Sequence, residues 1–164
     1  MAALANIAAG VRLAVFDVDG VFTDGRIWMG TDGVEYKAFS VRDGVGIKQL
    51  LAAGIEVAII SGRASSAVDR RMAELGVTRI VQGCADKAAA LAQLLRDTGI
   101  EPGRTAYLGD DTPDLPPMRV VGLPCAVADA HAEARAAAAW TSTLPGGRGA
   151  VREFCEFLLA GRGA

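Results

Sequence analysis

The 164-residue sequence predicts a single α/β domain built on a doubly wound, mostly parallel sheet. Short runs of apolar residues with high strand propensity alternate with longer Ala- and Leu-rich stretches at helical spacing. This alternation is typical of βαβ units, whose helices cover both faces of the sheet. The length suits one buried core and is short for two ordinary domains. We therefore expect residues 1–164 to form one domain.

The predicted elements follow one another along the chain. Strands are expected at 13–16, 57–60, 80–81 and 106–108, and helices at 47–53, 68–75 and 88–95. The Ala-rich stretch 130–139 predicts a further helix, and a last helix is expected at about 151–159. The Gly-rich sequence 145–149 belongs to a C-terminal tail at about 144–164.

One segment breaks the alternation. Residues 26–29 and 34–39 are short extended runs joined by a Gly-Thr-Asp-Gly turn, which predicts a β-hairpin at about 24–40, just after the first strand. Its aromatic residues Trp28 and Tyr36 suit either cross-strand packing or an oligomer interface.

Composition limits the classes of function. A formal net charge of -2 gives no general attraction to nucleic acid or to an anionic membrane, so an anionic substrate needs locally placed cations. Three widely spaced cysteines fit neither a disulfide framework nor a structural zinc site. No apolar run is long enough to cross a bilayer, and the first ten residues lack a basic leader. We expect a cytoplasmic protein.

Polar residues at the ends of the predicted strands carry the chemistry. In an open parallel sheet, ligands bind at the carboxyl ends of the strands, so these residues would face one crevice. They are Asp17, Asp19, Ser61, Gly62, Arg63, Asp110, Asp111 and Asp114, with Lys87 ahead of a helix. Such a group of carboxylates repels itself unless a divalent cation and a lysine neutralise it. Oxygen ligands without clustered His or Cys favour Mg²⁺ over zinc.

These residue types suit phosphoryl transfer. Asp17 is the expected nucleophile, which would form an aspartyl-phosphate, with Lys87 offsetting phosphate charge. Asp19, two residues further along an extended segment, can protonate the leaving alkoxide and then activate water. Ser61 would hydrogen-bond the phosphoryl oxygens, although capping the next helix is an alternative role for it.

Four motifs occur in order along the chain: Asp-Val-Asp-Gly-Val-Phe-Thr at 17–23, Ser61, Lys87, and Gly-Asp-Asp-Thr-Pro-Asp at 109–114. In this order they resemble the motifs of the haloacid dehalogenase superfamily. The resemblance implies a Rossmann-like core in which Asp17, the backbone carbonyl of Asp19 and Asp110 bind Mg²⁺. It implies that Lys87 holds the nucleophile and the phosphate. Asp111 and Asp114 would support the metal ligands. The intervals between the motifs are too short for the cap domain that many members carry, so the crevice of one subunit would be open.

Further sequence stretches narrow the resemblance; they are residues 41–44, 83–87, 109–116, 127–131 and 146–153. By these stretches the chain resembles a capless, homotetrameric group that hydrolyses 3-deoxy-D-manno-octulosonate 8-phosphate in bacterial lipopolysaccharide synthesis. The resemblance implies that the hairpin mediates subunit contact and that the Gly-Gly-Arg-Gly segment reaches an adjacent active site, with Arg148 as a mobile gate. The residues expected to bind the sugar-acid phosphate are Arg42, Asp43, Gly44, Lys48, Gly62, Arg63, Arg71 and Arg148.

Several alternatives are open at this stage. Phosphatases for nine-carbon sugar-acid phosphates share most of these motifs, but the position of Arg63 is often acidic in them. A signalling receiver domain would place its lysine after the phosphoaccepting Asp, whereas here Lys87 precedes Asp110. A phosphomutase would need a cap to exclude water. A silent binding relative would not need both Asp17 and Asp19. The lone histidine, His131, is expected to make a helix-start hydrogen bond.

Overall fold

The computed structural model describes residues 2–162. Its strands are β1 (Leu13–Phe16), β2 (Trp28–Met29), β3 (Glu35–Tyr36), β4 (Glu56–Ile60), β5 (Arg79–Val81), β6 (Thr105–Gly109), β7 (Leu123–Ala126) and β8 (Trp140–Thr141). Its helices are α1 (Ala2–Gly10), α2 (Val41–Ala52), α3 (Ser66–Leu75), α4 (Lys87–Thr98), α5 (Leu115–Met118), α6 (Ala132–Ala137) and α7 (Ala150–Ala160).

Six strands form one parallel sheet in the order β5-β4-β1-β6-β7-β8, and β2 and β3 form a separate antiparallel hairpin. Strand β1 lies at the centre of the sheet and is wholly buried, as expected for a parallel strand covered on both faces. Phe16 pairs with Ile59 of β4 and with Leu108 of β6. The residues that follow these three strands therefore meet at one edge of the sheet.

Side chains alternate between two cores along β1. Ala14 and Phe16 face a core that includes Ile47 of α2 and Phe154 of α7. Leu13 and Val15 face the opposite core, whose members include residues of α4 and α5. Helices thus cover both faces of the sheet, which confirms the predicted doubly wound architecture and the projecting hairpin. Within residues 2–162 no separate cap domain stands over the strand ends.

Several predicted boundaries differ from the observed ones. Helix α6 is shorter than the predicted 130–139, because the backbone is extended at Ala138. The next residue, Ala139, donates its N–H to Pro124 O at 2.8 Å, and the chain continues into β8. Helix α1 had no predicted counterpart. The hairpin pairs only Trp28 with Tyr36 and Met29 with Glu35.

The ends of the predicted domain, residues 1 and 164, lie outside the described residues. Within the described range, no helix has the length and apolar character needed to span a membrane.

Candidate active site

An open crevice lies where β1, β4 and β6 end. Its lining comprises Asp17, Asp19, Ser61, Gly62, Arg63, Lys87, Asp110, Asp111, Pro113 and Asp114. The residues that the sequence places at the strand ends, together with Lys87, therefore lie around one space, as the parallel topology requires.

Asp17 is fixed at the bottom of this crevice. It follows β1 directly, and its backbone N–H donates to Leu108 O of β6 at 3.1 Å. Its side chain is largely buried and lies 3.0 Å from Nζ of Lys87. Burial, together with the nearby charge of Asp114, raises the pKa of Asp17 to about 6, and Lys87 opposes this rise. A cation near this carboxylate would keep it ionised.

Asp114 is the fully buried centre of a hydrogen-bond network. Its Oδ1 accepts hydrogen bonds from Lys87 Nζ and from the Tyr107 hydroxyl, both at 2.7 Å. Its Oδ2 accepts from the backbone N–H groups of Asp110 at 2.9 Å and Asp111 at 3.3 Å. Because both oxygens are engaged, Asp114 orders the loop after β6 and orients Lys87 rather than presenting a free carboxylate to the crevice.

A hard divalent cation fits this acidic cluster. Carboxylate oxygens of Asp17, Asp110 and Asp114 lie within 4.8 Å of one another. Burial and the neighbouring carboxylates raise the pKa of Asp110 to about 8, although the positive charge of Lys87 opposes this rise. Since Asp114 is already engaged, Asp17 and Asp110 are the side chains best placed to hold a metal. Gly20 makes room for them, because a Cβ there would lie 2.0 Å from Oδ2 of Asp110.

Asp111 is exposed and caps the 3₁₀ turn Thr112–Asp114, with its Oδ1 accepting from the Thr112 N–H at 2.7 Å. Asp111 and Asp114 thus have distinct structural roles, which the sequence alone did not separate.

Two charged residues of the β-hairpin form ion pairs with residues that line the crevice. Lys37 Nζ forms an ion pair with Asp19 and lies 2.9 Å from Oε1 of Glu35. Glu35 in turn forms an ion pair with Arg63 at the mouth of the crevice. Lys37 and Glu35 were not among the predicted site residues. The available signal was their spacing of two residues, which in an extended segment puts both side chains on one face.

Ser61 lines the crevice and does not cap a helix. The residue that precedes α3 is Ser65, whereas Ser61 is buried just after β4 and donates its N–H to Val81 O at 2.9 Å. The alternative of a capping role for Ser61 is therefore wrong. His131 does start a helix, as expected: it precedes α6, and its Nδ1 accepts the N–H of Glu133 at 3.4 Å.

The expected substrate-binding residues divide into groups. Gly62 and Arg63 line the crevice, whereas Arg42 and Arg148 line a separate surface groove beside Phe39. Lys48 is exposed on α2 and lines neither. Arg71 reaches back over α2, with its Nη2 3.5 Å from Ser40 O.

Asp43 and Gly44, two further residues expected to bind substrate, lie on α2 and are absent from the crevice lining. Asp43 is buried, and its Oδ1 accepts the Arg152 N–H at 2.9 Å, close to the start of α7. A Cβ on Gly44 would lie 2.4 Å from Nη2 of Arg71, so a larger residue at this position would displace the end of the arginine side chain. In this structure both residues serve helix packing instead of lining the crevice.

The Gly-rich tail is docked on the loop that follows Asp19. Gly147 donates its N–H to Val21 O at 2.9 Å, and Gly146 donates to Oδ1 of Asp129 at 2.9 Å. A Cβ at position 146 would lie 1.8 Å from Gly20 O, so only glycine permits this approach. The tail contacts the active-site loop of its own chain, and Arg148 is exposed beside it.

Comparison with known proteins agrees with this geometry. Residues 76–149 match the model of the haloacid dehalogenase-like hydrolase family. The 3-deoxy-D-manno-octulosonate 8-phosphate phosphatase KdsC of Escherichia coli (strain K12) is 49% identical over 156 residues, which cover 95% of this chain and 83% of that protein.

Solved structures of the same kind of enzyme superpose closely. The phosphatase from Yersinia pestis has a TM-score of 0.95 at 46% identity, covering 97% of this chain and 86% of its own. The Moraxella catarrhalis phosphatase, in complex with a magnesium ion, a phosphate ion and a KDO molecule, has a TM-score of 0.97 at 43% identity, covering 99% and 93%. The chain therefore belongs to the 3-deoxy-D-manno-octulosonate 8-phosphate phosphatase family of the haloacid dehalogenase-like hydrolases.

Proposed function

We propose that this protein is a Mg²⁺-dependent phosphomonoester hydrolase that converts 3-deoxy-D-manno-octulosonate 8-phosphate to the free sugar acid and phosphate. The observation that carries the proposal is the position of Lys87, whose Nζ lies 3.0 Å from Asp17 and 2.7 Å from Asp114 at the floor of the crevice. A relative that is 49% identical bears the name of this activity. The superposable Moraxella catarrhalis structure contains magnesium, phosphate and the sugar acid.

Asp17, Asp110 and the backbone carbonyl of Asp19 are the groups we assign to hold Mg²⁺. The raised pKa values of Asp17 and Asp110 support the assignment, because each carboxylate gains from a nearby cation. When bound, Mg²⁺ supplies positive charge that offsets the charge of the carboxylates and of the phosphoryl oxygens.

In the first step, a carboxylate oxygen of Asp17 attacks phosphorus, and the bond between phosphorus and the oxygen on C8 of the sugar breaks. Asp19, which lines the same crevice, donates its proton to the leaving alkoxide. Lys87 holds the Asp17 side chain, and Ser61 hydrogen-bonds an oxygen of the transferring group. The products of this step are the free sugar acid and an aspartyl-phosphate on Asp17.

In the second step, Asp19 removes a proton from a water molecule that attacks phosphorus. The acyl phosphate bond breaks, phosphate leaves, and Asp17 is restored as a carboxylate. The open crevice supports hydrolysis over transfer to a second hydroxyl, because water has access to the intermediate.

The sugar acid needs cations beyond the phosphate site, since it carries a carboxylate of its own. Arg63 is the cation best placed for this role, because it lines the crevice mouth with its side chain 48% exposed. A guanidinium group binds a carboxylate bidentately. Arg42 and Arg148 would act from the separate groove beside Phe39 or from a neighbouring subunit. Lys48 and Arg71, which line neither the crevice nor this groove, are the remaining candidates.

We further propose that the protein works as a homotetramer in the cytoplasm, in lipopolysaccharide synthesis. The hairpin presents large apolar side chains to solvent: Ile27 is 53%, Trp28 57%, Met29 62% and Tyr36 55% exposed. A contiguous apolar surface of this kind suits a subunit interface. Light scattering coupled to gel filtration should give a tetramer for the natural chain and smaller species for Trp28→Glu. A monomeric natural chain would overturn this proposal.

Phosphate release tests the proposed reaction. The panel comprises 3-deoxy-D-manno-octulosonate 8-phosphate, a nine-carbon sugar-acid phosphate, hexose phosphates and an aryl phosphate, each with Mg²⁺ and with EDTA. We expect the highest kcat/KM for the eight-carbon substrate and no turnover with EDTA. Preference for the nine-carbon substrate would change the substrate assignment and keep the mechanism. Failure to hydrolyse any substrate in the presence of Mg²⁺ would refute the proposed function.

A further inference from the structure

Four side chains of alternating charge connect the hairpin to the crevice. Asp19 pairs with Lys37, Lys37 pairs with Glu35 at 2.9 Å, and Glu35 pairs with Arg63. Both end members line the crevice, whereas the two middle members belong to the hairpin. The hairpin, which the family resemblance links to subunit contact, is therefore also joined to the reaction site.

Lys37 is badly placed to bind substrate. Its side chain is only 2% exposed, and its Nζ already lies against a carboxylate on each side. The four charges sum to zero, so the line adds no net attraction for an anionic substrate. What Lys37 does provide is a fixed, charged hydrogen-bond donor for the carboxylate of Asp19.

Asp19 needs such a support. It lies on the loop between β1 and the hairpin, and its side chain is 21% exposed. Within residues 2–162, Lys37 is the cation that forms an ion pair with it. Proton transfer requires the carboxyl oxygen to be within hydrogen-bond reach of the leaving oxygen. A misplacement of about 1 Å can lower a rate about 100-fold.

We propose that Lys37 is a positioning residue that orients Asp19 for proton transfer to the leaving alkoxide, and that Glu35 holds Lys37 in place. This inference rests on the proposed phosphatase function. It assigns to the hairpin a role in the reaction in addition to subunit contact. Glu35 also forms an ion pair with Arg63, so one segment of the hairpin, residues 35–37, contacts both the proposed acid through Lys37 and a proposed substrate cation.

The leaving group provides the decisive test. Cleavage of an alkyl phosphate depends on protonation of the leaving alkoxide oxygen. An aryl phosphate with an acidic phenol does not depend on it, because the phenolate leaves without being protonated. Because kcat/KM reports the first phosphoryl transfer, it separates this step from later hydrolysis of the aspartyl-phosphate. The alkyl substrate used is the one that the natural enzyme hydrolyses best, so a failure of this inference is distinct from failure of the function.

We expect Lys37→Met to lower kcat/KM about 10- to 100-fold for the alkyl phosphate and to change it little for nitrophenyl phosphate. Lys37→Arg should recover most of the loss, because it keeps the charge and the donor. In a double variant, adding Lys37→Met to Asp19→Asn should lower kcat/KM little further, since both substitutions act through the Asp19 carboxyl group. Arg26→Met, which removes an exposed cation from the same hairpin, should behave like the natural enzyme.

Equal losses on the two substrates, or additive losses in the double variant, would show a general structural effect and overturn the proposal. An unchanged Lys37→Met enzyme would overturn it as well. If Lys37→Met fails to fold, Glu35→Gln provides the same test: it should give a smaller loss that is again confined to the alkyl phosphate. Gel filtration of each variant checks that the assembly is intact.

Discussion

Tyr107 and Asp114 are joined by a buried hydrogen bond of 2.7 Å beneath the active-site crevice. Tyr107 is fully buried in the centre of β6, and its hydroxyl shares Oδ1 of Asp114 with Lys87. Burial and the charge of Asp114 raise the pKa of Tyr107, so it remains a donor at all ordinary pH values. Tyr107, a buried residue of the central sheet, thus holds the carboxylate of Asp114, which in turn orients Lys87.

Tyr107→Phe should destabilise the protein by about 1–2 kcal/mol, because Asp114 loses one of its four donors in a buried place. Turnover should fall by less than about tenfold, since Lys87 still bridges Asp17 and Asp114. Urea denaturation and phosphate release measure the two effects. Tyr36→Phe is the matched control: because Tyr36 is 55% exposed, this substitution should hardly change the free energy of unfolding. Equal stability of the two variants would contradict the role given to Tyr107.

Lys87→Met should have a larger effect on both properties. It leaves the buried carboxylates of Asp17 and Asp114 without their shared cation, which costs about 3 kcal/mol or more. Turnover should fall at least about 100-fold, because the phosphoryl group loses a positive charge. Added Mg²⁺ should restore part of the stability without restoring turnover. A variant with normal kcat would remove Lys87 from the catalytic site.

The stability of the metal-free protein should decrease as pH rises from about 5 to about 8. The pKa values of Asp17 and Asp110 are raised to about 6 and about 8 from the ordinary aspartate value of 3.8, so the folded state binds more protons than the unfolded chain in this range. Deprotonation therefore lowers the contribution of these two groups to the free energy of unfolding.

Mg²⁺ should reverse this trend, since it binds the deprotonated carboxylates. We expect the increase in Tm on adding Mg²⁺ to be small near pH 5 and largest near pH 8, as measured by thermal melts. Asp110→Asn should flatten the pH dependence of the metal-free protein and abolish most of the Mg²⁺ effect. A Tm increase that is independent of pH would show that the metal is bound elsewhere.

Gly146→Ala should detach the tail from the active-site loop, because its Cβ would overlap Gly20 O at 1.8 Å. We expect a loss of about 1–3 kcal/mol in stability. Faster amide exchange should appear in residues 20–24 as well as 146–149, since the Gly147–Val21 hydrogen bond holds the two segments together. Gly103→Ala is the control, because a Cβ at that position meets nothing within 4 Å. Unchanged exchange in residues 20–24 would refute the coupling.

The strand-end residues could be predicted because the parallel sheet brings them together by topology alone. Once β1, β4 and β6 are recognised, Asp17, Ser61 and Asp110 must stand side by side. The order of these residues along the chain then predicted phosphoryl transfer. Lys87, expected just ahead of a helix, is the first residue of α4.

Contacts between distant elements could not be predicted in the same way. Lys37 approaches Asp19 because of how the hairpin folds back, and no local pattern specifies that angle. Tyr107 looked like an ordinary strand residue, since its hydroxyl partner lies beyond the end of the strand. Asp43 stands in a motif that suggests ligand binding, and only the packing of α2 on α7 shows that its carboxylate meets the N–H of Arg152.

The most direct test of the central claim is to trap the phosphoryl group on the protein. The enzyme is mixed with its best substrate and Mg²⁺, quenched in acid within milliseconds, digested and analysed by mass spectrometry. The mechanism predicts a phosphoryl adduct on the peptide that contains Asp17, with no adduct and no turnover in Asp17→Asn. An adduct on another residue, or normal turnover by Asp17→Asn, would contradict the assignment of Asp17 as the nucleophile.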